Sequence, residues 1–176
     1  AYDYLTPGSP FEGFTVSGSG GGVFSATNNN DDNASSQIAG VLTSYNGAAY
    51  DGATYDQRAV WSGTYGGLFN LTHDYYFDTD GQQLNIATTI EALADLTDLA
   101  FARFTDPDAV AAPGDSSATN NFRGSTGVSE DDLVYAEATV SKYVIGLYSG
   151  DATPHSTGVT GWTTDPASYL AGTFIG

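Results

Sequence analysis

The stretch LFNLTHDYYFD (residues 68–78), continued by TDGQQLNIATTI (residues 79–90), decides the fold. In its first half Phe69, Leu71, His73, Tyr75 and Phe77 occupy every second position, with Asn70, Thr72, Asp74 and Tyr76 between them. Side chains of an extended strand point alternately to its two faces, so this pattern puts the first set on one side of a sheet. Asp78-Thr79-Asp80-Gly81 reads as a turn, and Leu84, Ile86, Thr88 and Ile90 repeat the alternation on the way back. The two halves predict an antiparallel hairpin.

Working outward, residues 38–45 and 57–65 read as strands separated by Asn46-Gly47 and Asp51-Gly52, pairs that accept the positive φ of tight turns. Further on, 133–140, 142–148 and an apolar run at 169–175 read as strands after a loop at 106–121 rich in Asp, Pro, Ala and Asn. Residues 90–104 fit two readings. Ile90, Leu93, Ala94, Thr97, Ala100, Phe101 and Phe104 recur at helical spacing, while Leu99, Phe101 and Arg103 alternate as in a strand. Many short strands with Gly-, Asn- and Asp-rich turns predict an all-β fold, an antiparallel β-sandwich of jelly-roll or immunoglobulin-like type. Residues 1–36 read as an extended Gly-rich N-terminal arm, with Pro7, Pro10, the run SGSGGG at 17–22 and the polar run NNNDDN at 28–33. Within it Phe11, Phe14, Val16, Val23 and Phe24 supply one or two short strands, or a strand to exchange with a neighbour. The expected division is an arm over 1–36 and a sandwich domain over 37–176.

Composition excludes several functions. Against 21 Asp and Glu stand 4 Lys and Arg, a net charge of −17, which repels nucleic-acid phosphates and anionic membrane surfaces alike. No apolar run approaches the roughly 18 residues of a membrane-spanning helix. The charge itself reads as solubility, with salt adaptation included, or as cation binding, for which Ca²⁺ is the usual extracellular ion. Cysteine is absent, so there is neither a disulfide framework nor a thiol nucleophile. The chain starts at Ala1, and removal of an N-terminal secretory segment is the expected reason. Abundant Gly, Tyr, Thr and Asn point to an exported protein, secreted or on a cell surface.

The residues that carry chemistry are oxygen ligands and aromatic rings. His73 lies on the apolar face of its strand and reads as a core residue; His155, after Pro154, reads as a surface one. No zinc, serine-hydrolase or phosphate-loop motif occurs. Glu12, Glu91, Glu130 and Glu137 leave a paired-carboxylate hydrolase conceivable without assigning a pair, so no enzyme is expected. For Ca²⁺, Asp78 and Asp80 resemble the first half of an EF-hand loop without its later ligands, and a hairpin turn explains them equally well. Asp106 and Asp108 flank Pro107, and Asp115 with Asn120 (beside Asn121) would complete an oxygen cage; a proline turn is the plain alternative. Tyr45, Tyr50, Tyr55, Trp61 and Tyr65 crowd one third of the chain, and Trp162 sits in a later loop. Trp61, Tyr65 and Trp162 are candidate stacking platforms for a polysaccharide. Residues 33–35 and 70–72 match the N-glycosylation sequon, which matters only in a eukaryotic secretory pathway.

The segments LADLTDLAFARFTDPD (93–108), TNN (119–121), VIGLYS (144–149) and GWTTDPASYLAG (161–172) resemble secreted bacterial proteins of the PEP-CTERM-sorted type. The resemblance covers the second half of the chain. It implies an exported, β-rich surface or matrix protein with no defined reaction, and it favours the strand reading of 99–104. The sorting tail of that group is not among these 176 residues, and its cleavage would match that expected at the N-terminus. The function expected is a structural subunit that self-assembles into a filament, sheath or matrix, a homo-oligomer or polymer formed by strand exchange. The alternative is a carbohydrate-binding or adhesive module.

Overall fold

The computed structural model describes residues 11–30, 36–47, 49–50, 52–110 and 112–165. These residues contain strands and no helix: β1 (Phe11–Ser19), β2 (Val23–Asn29), β3 (Ala39–Asn46), β4 (Ala49–Tyr50), β5 (Ala53–Thr54), β6 (Gln57–Tyr65), β7 (Phe69–Phe77), β8 (Asn85–Ala92), β9 (Thr97–Asp106), β10 (Thr119–Arg123), β11 (Leu133–Ala138) and β12 (Val144–Tyr148). The fold is all-β, with antiparallel sheets β2-β1-β9, β3-β6-β7-β8 and β10-β11-β12 as expected of a sandwich-class chain, and with β4 and β5 forming a small ladder. The hairpin expected over residues 68–90 is β7–β8, closed by a bond from Gly81 N to Asp78 O of 2.9 Å. Residues 97–106 form a strand, and the chain bends at 93–94 before it. The run at 169–175 lies outside the described residues.

The chain divides into two compact units, one of 18–26 with 36–99 and one of 1–17, 27–35 and 100–176. In the first of these the register of the four-stranded sheet puts Leu42, Trp61, His73 and Thr88 in one row and Gly40, Gly63, Leu71 and Ile90 in the next. On this face Phe69, Leu71 and His73 are fully buried, as is Ile38 just before β3. Phe24 of β2 packs its ring 5.9 Å from both Tyr65 and Phe69. Each such buried aromatic or aliphatic side chain contributes about 1.5–3 kcal/mol. The glycines of the second row have a steric purpose. A Cβ at Gly40 would lie 2.3 Å from the Trp61 indole, and one at Gly63 2.4 Å from it, so the two bare backbones form the bed on which the ring lies.

In the other unit Phe11, Phe14, Val16, Phe104, Ala109, Ala136 and Ala138 are buried. Phe11 stacks on Phe104 at 4.8 Å. The buried hydroxyls are satisfied, Thr15 Oγ1 donating to Thr164 O at 2.7 Å and Thr27 Oγ1 to Phe14 O at 3.1 Å. Of the segment read as an arm, residues 11–29 therefore form strands β1 and β2, in one sheet with β9 of their own chain. Four of the five apolar side chains of that segment, Phe11, Phe14, Val16 and Phe24, are covered there, and Val23 is exposed. Residues 1–10 and 31–35, the rest of that segment apart from 30 and 36, lie outside the described residues.

Candidate functional site

The four basic side chains are all committed. Arg58 forks onto Asp74, with Nε to Oδ1 at 2.9 Å and Nη2 on Oδ2; Arg103 pairs with Glu12, Arg123 with Asp131 and Glu130, and Lys142 with Glu137. No Lys or Arg is left over to neutralise the other carboxylates. Among the described residues, no three His, Asp or Glu side chains converge as a metal centre.

Within the oxygen-rich loops, Asp115 and Asp78 accept backbone hydrogen bonds. Asp115 Oδ1 accepts from Val140 N (3.2 Å) and Ser141 N (2.9 Å), and Oδ2 from Ala112 N (2.9 Å). The Ser141 side chain and backbone, ahead of Ala112 and Val140, hold its pKa down to about 2. It thus pins the turn between β11 and β12. Asp108 is half-buried, and burial, then the Asp106 charge, raises its pKa. Asn120 is exposed on β10, opposite Glu137. Asp78 Oδ1 accepts from Asp56 N at 3.2 Å, while Asp56 Oδ2 accepts from Thr79 N and Oγ1 at 2.9 and 2.8 Å. The two aspartates tie neighbouring turns together; Asp80 is exposed.

His73 is buried, its Nδ1 2.9 Å from Thr88 Oγ1 and its ring 5.7 Å from Trp61. His155 stands in a loop with Nδ1 2.6 Å from Thr153 O and Nε2 3.1 Å from Asp132 Oδ1; the Thr153 carbonyl first, then Asp132, raises its pKa.

Of the aromatic candidates, Trp61 is the ring bedded on Gly40 and Gly63, and Tyr65 packs on Phe69 at 5.7 Å. Trp162 is different. It is 55% exposed, and its ring centre lies 4.6 Å from that of Phe11, which is anchored in turn on Phe104. Arg58, which no sequence motif marks, is the centre of a tyrosine cluster. Tyr45 and Tyr50 have ring centres 5.9 and 5.7 Å from the Arg58 guanidinium, and Tyr76 stacks on Tyr50 at 4.1 Å. A lone Arg within a tyrosine-rich third of an acidic chain was the available signal.

The strand edges are the other unassigned surface. All eight residues of β3 are exposed, Val41 at 72%, Leu42 at 59% and Tyr45 at 47%. β3 pairs with β6 on one side, and no described strand pairs with its other side. Which backbone groups are free follows from the ladder. Gly47 N bonds Asp56 O at 3.0 Å, in register with the β3–β6 pairing, and hydrogen-bonded pairs of an antiparallel ladder alternate. The odd-numbered residues of β3 therefore bond β6, and the N–H and C=O groups of Gly40, Leu42, Ser44 and Asn46 point outward. The bond from Leu93 N to Leu68 O fixes the same phase from the far side of the sheet. In the other unit β12 is likewise an edge strand with no charged residue, with Val144 and Tyr148 more than half exposed.

Fold and site together define an acidic all-β protein with exposed, uncharged strand edges. Compared with known proteins, the chain matches no family model, no curated sequence and no solved structure.

Proposed function

We propose that this chain is an extracellular structural subunit that builds a filament, sheath or matrix by pairing its free strand edges. The observation that carries the reading is β3: eight exposed residues, no charge and no proline, in a chain of net charge −17. Soluble β-proteins protect such edges with Lys, Pro, bulges or a covering segment, because a bare edge templates the addition of another strand. With 25 charged residues at hand, β3 and β12 carry none of them. Two edges on one chain extend an assembly beyond the dimer that one edge alone would give. The absence of cysteine is consistent with cohesion by backbone pairing, and the Gly-, Tyr- and Thr-rich composition with export. No helix is long and apolar enough to cross a membrane among the described residues. The reading assigns no reaction to the protein.

Electron microscopy and light scattering over rising concentration test it. Ordered polymers are expected, weakened by Val41→Lys and by Val144→Lys; a monomer throughout would end the reading. The same series with Ca²⁺ and with EDTA tests whether a cation at Asp106 and Asp108 contributes to the contacts.

A second reading, a carbohydrate-binding module, has the half-exposed Trp162 in its favour. An indole fixed by Phe11 from below and open above is a ready stacking surface for a sugar ring. Retention on polysaccharide columns, lost in Trp162→Ala, would favour it.

A further inference from the structure

We infer that β3 pairs with β3 of a second copy, antiparallel and about a two-fold axis at Thr43. The inference rests on the self-assembly reading and specifies the partner and register at one of its edges. A two-fold axis perpendicular to the sheet keeps the two faces in common and pairs residues of equal parity. Three registers put outward-pointing residues of β3 well opposite each other. Centring on Leu42 pairs Gly40 with Ser44 and leaves Asn46 beyond the partner's strand; centring on Ser44 leaves Gly40 without a partner. Centring on Thr43 pairs Gly40 with Asn46 and Leu42 with Ser44, twice each, so every outward group of β3 is used, with about eight hydrogen bonds.

The side chains agree with that register. Val41 lies opposite Tyr45 on both sides of the axis, an aromatic–β-branched pair, and Thr43 lies opposite Thr43. Both are favourable cross-strand combinations. The Tyr45 ring is flanked by the Arg58 guanidinium of its own chain. Charge points to the same place. Two molecules of net charge −17 repel, and residues 33–50 form an uncharged run that holds the whole of β3. With screening lengths of about 8 Å at physiological salt, association at this edge should strengthen as salt rises. The product is a continuous sheet that runs β8-β7-β6-β3 in one copy and β3-β6-β7-β8 in the next.

The lack of native cysteine makes the register directly readable. Thr43 falls at a non-hydrogen-bonded pair, where facing Cα atoms lie about 4.5 Å apart, within disulfide reach. Thr43→Cys, oxidised at concentrations where the wild type associates, is expected to give a covalent dimer on non-reducing gels. Thr89→Cys, exposed on β8 of the same sheet, is expected to cross-link at least about tenfold more slowly. The double variant Val41→Lys/Tyr45→Lys puts like charges on the edge and should raise the association midpoint at least about tenfold. Both replaced side chains are exposed, so the fold should survive. If the wild type assembles but Thr43→Cys cross-links no faster than Thr89→Cys, this pairing is wrong and the self-assembly reading stands. A wild type that remains monomeric overturns both.

Discussion

β7 and β3 belong to one sheet with β6 between them, and their environments are opposite. β7 pairs on both sides and buries Phe69, Leu71 and even the polar His73, whose Nδ1 meets Thr88. β3 pairs on one side and exposes Val41, Leu42 and Tyr45. By charge alone the order would be reversed, since β7 carries Asp74 and β3 is neutral. A strand is buried by its place in the sheet and by what lies over it. A buried polar residue and an exposed apolar run are both departures that need a reason. For His73 the hydrogen bond supplies it; for β3 an absent partner strand would.

The comparison breaks most directly by truncation. Leu71→Ala should cost about 2–5 kcal/mol of unfolding free energy in urea, because it opens a cavity on a covered face. Val41→Ala, measured under monomeric conditions, should stay within about 0.5 kcal/mol of wild type, as for other exposed sites. Equal costs would mean that β3 is covered after all. Gly63→Ala sharpens the contrast between the two faces. Its methyl group would enter the bed of Trp61, so a loss of about 1–3 kcal/mol is expected, along with a shifted Trp61 emission in a Trp162→Phe background.

Much of the fold was legible, for a physical reason. Alternation over β7 is strict because Phe69, Leu71 and His73 are buried while Asn70, Thr72 and Asp74 between them are only half-buried, and Asn46-Gly47 marks a turn where Gly47 has φ +61°. The strand 97–106 was ambiguous from its residues, since Ala100, Phe101 and Phe104 satisfy both periods. The run of 11–29 looked like an arm because Gly18, Gly20 and Gly22 thin out its apolar pattern. Yet Phe11, Phe14, Val16 and Phe24 bury almost completely in strands of its own chain. The site was less legible. That Asp115 accepts backbone N–H groups depends on the turn at 139–141, with Val140 25 residues away in the chain. Edges have no sequence signature beyond missing charge, because strand order is a long-range property.

Smaller effects separate the two functional readings. Trp162→Ala removes the ring contact with Phe11 and should lower stability by about 1 kcal/mol. It should leave concentration-dependent assembly unchanged if strand edges hold the polymer, and abolish polysaccharide retention if the second reading is right.

The smallest effect concerns the edge strand that most resembles β3. β12 follows a turn held by Asp115, whose carboxylate gathers the N–H groups of Val140 and Ser141 together with that of Ala112. Its pKa, about 2 in the folded chain against an ordinary 3.8, fixes the sign. The stabilisation is present in full above pH 3.8 and is lost as the pH falls through about 2. The amide resonances of Ala112, Val140 and Ser141 should therefore titrate together with a midpoint near 2, while those of β3, whose run 33–50 holds no titrating acid, stay still over the same range. Asp115→Asn should erase the shared transition and loosen the β11–β12 turn at every pH. A midpoint near 3.8 would mean that Asp115 points into solvent. The β12 edge would then lack the anchored turn that separates it from β3.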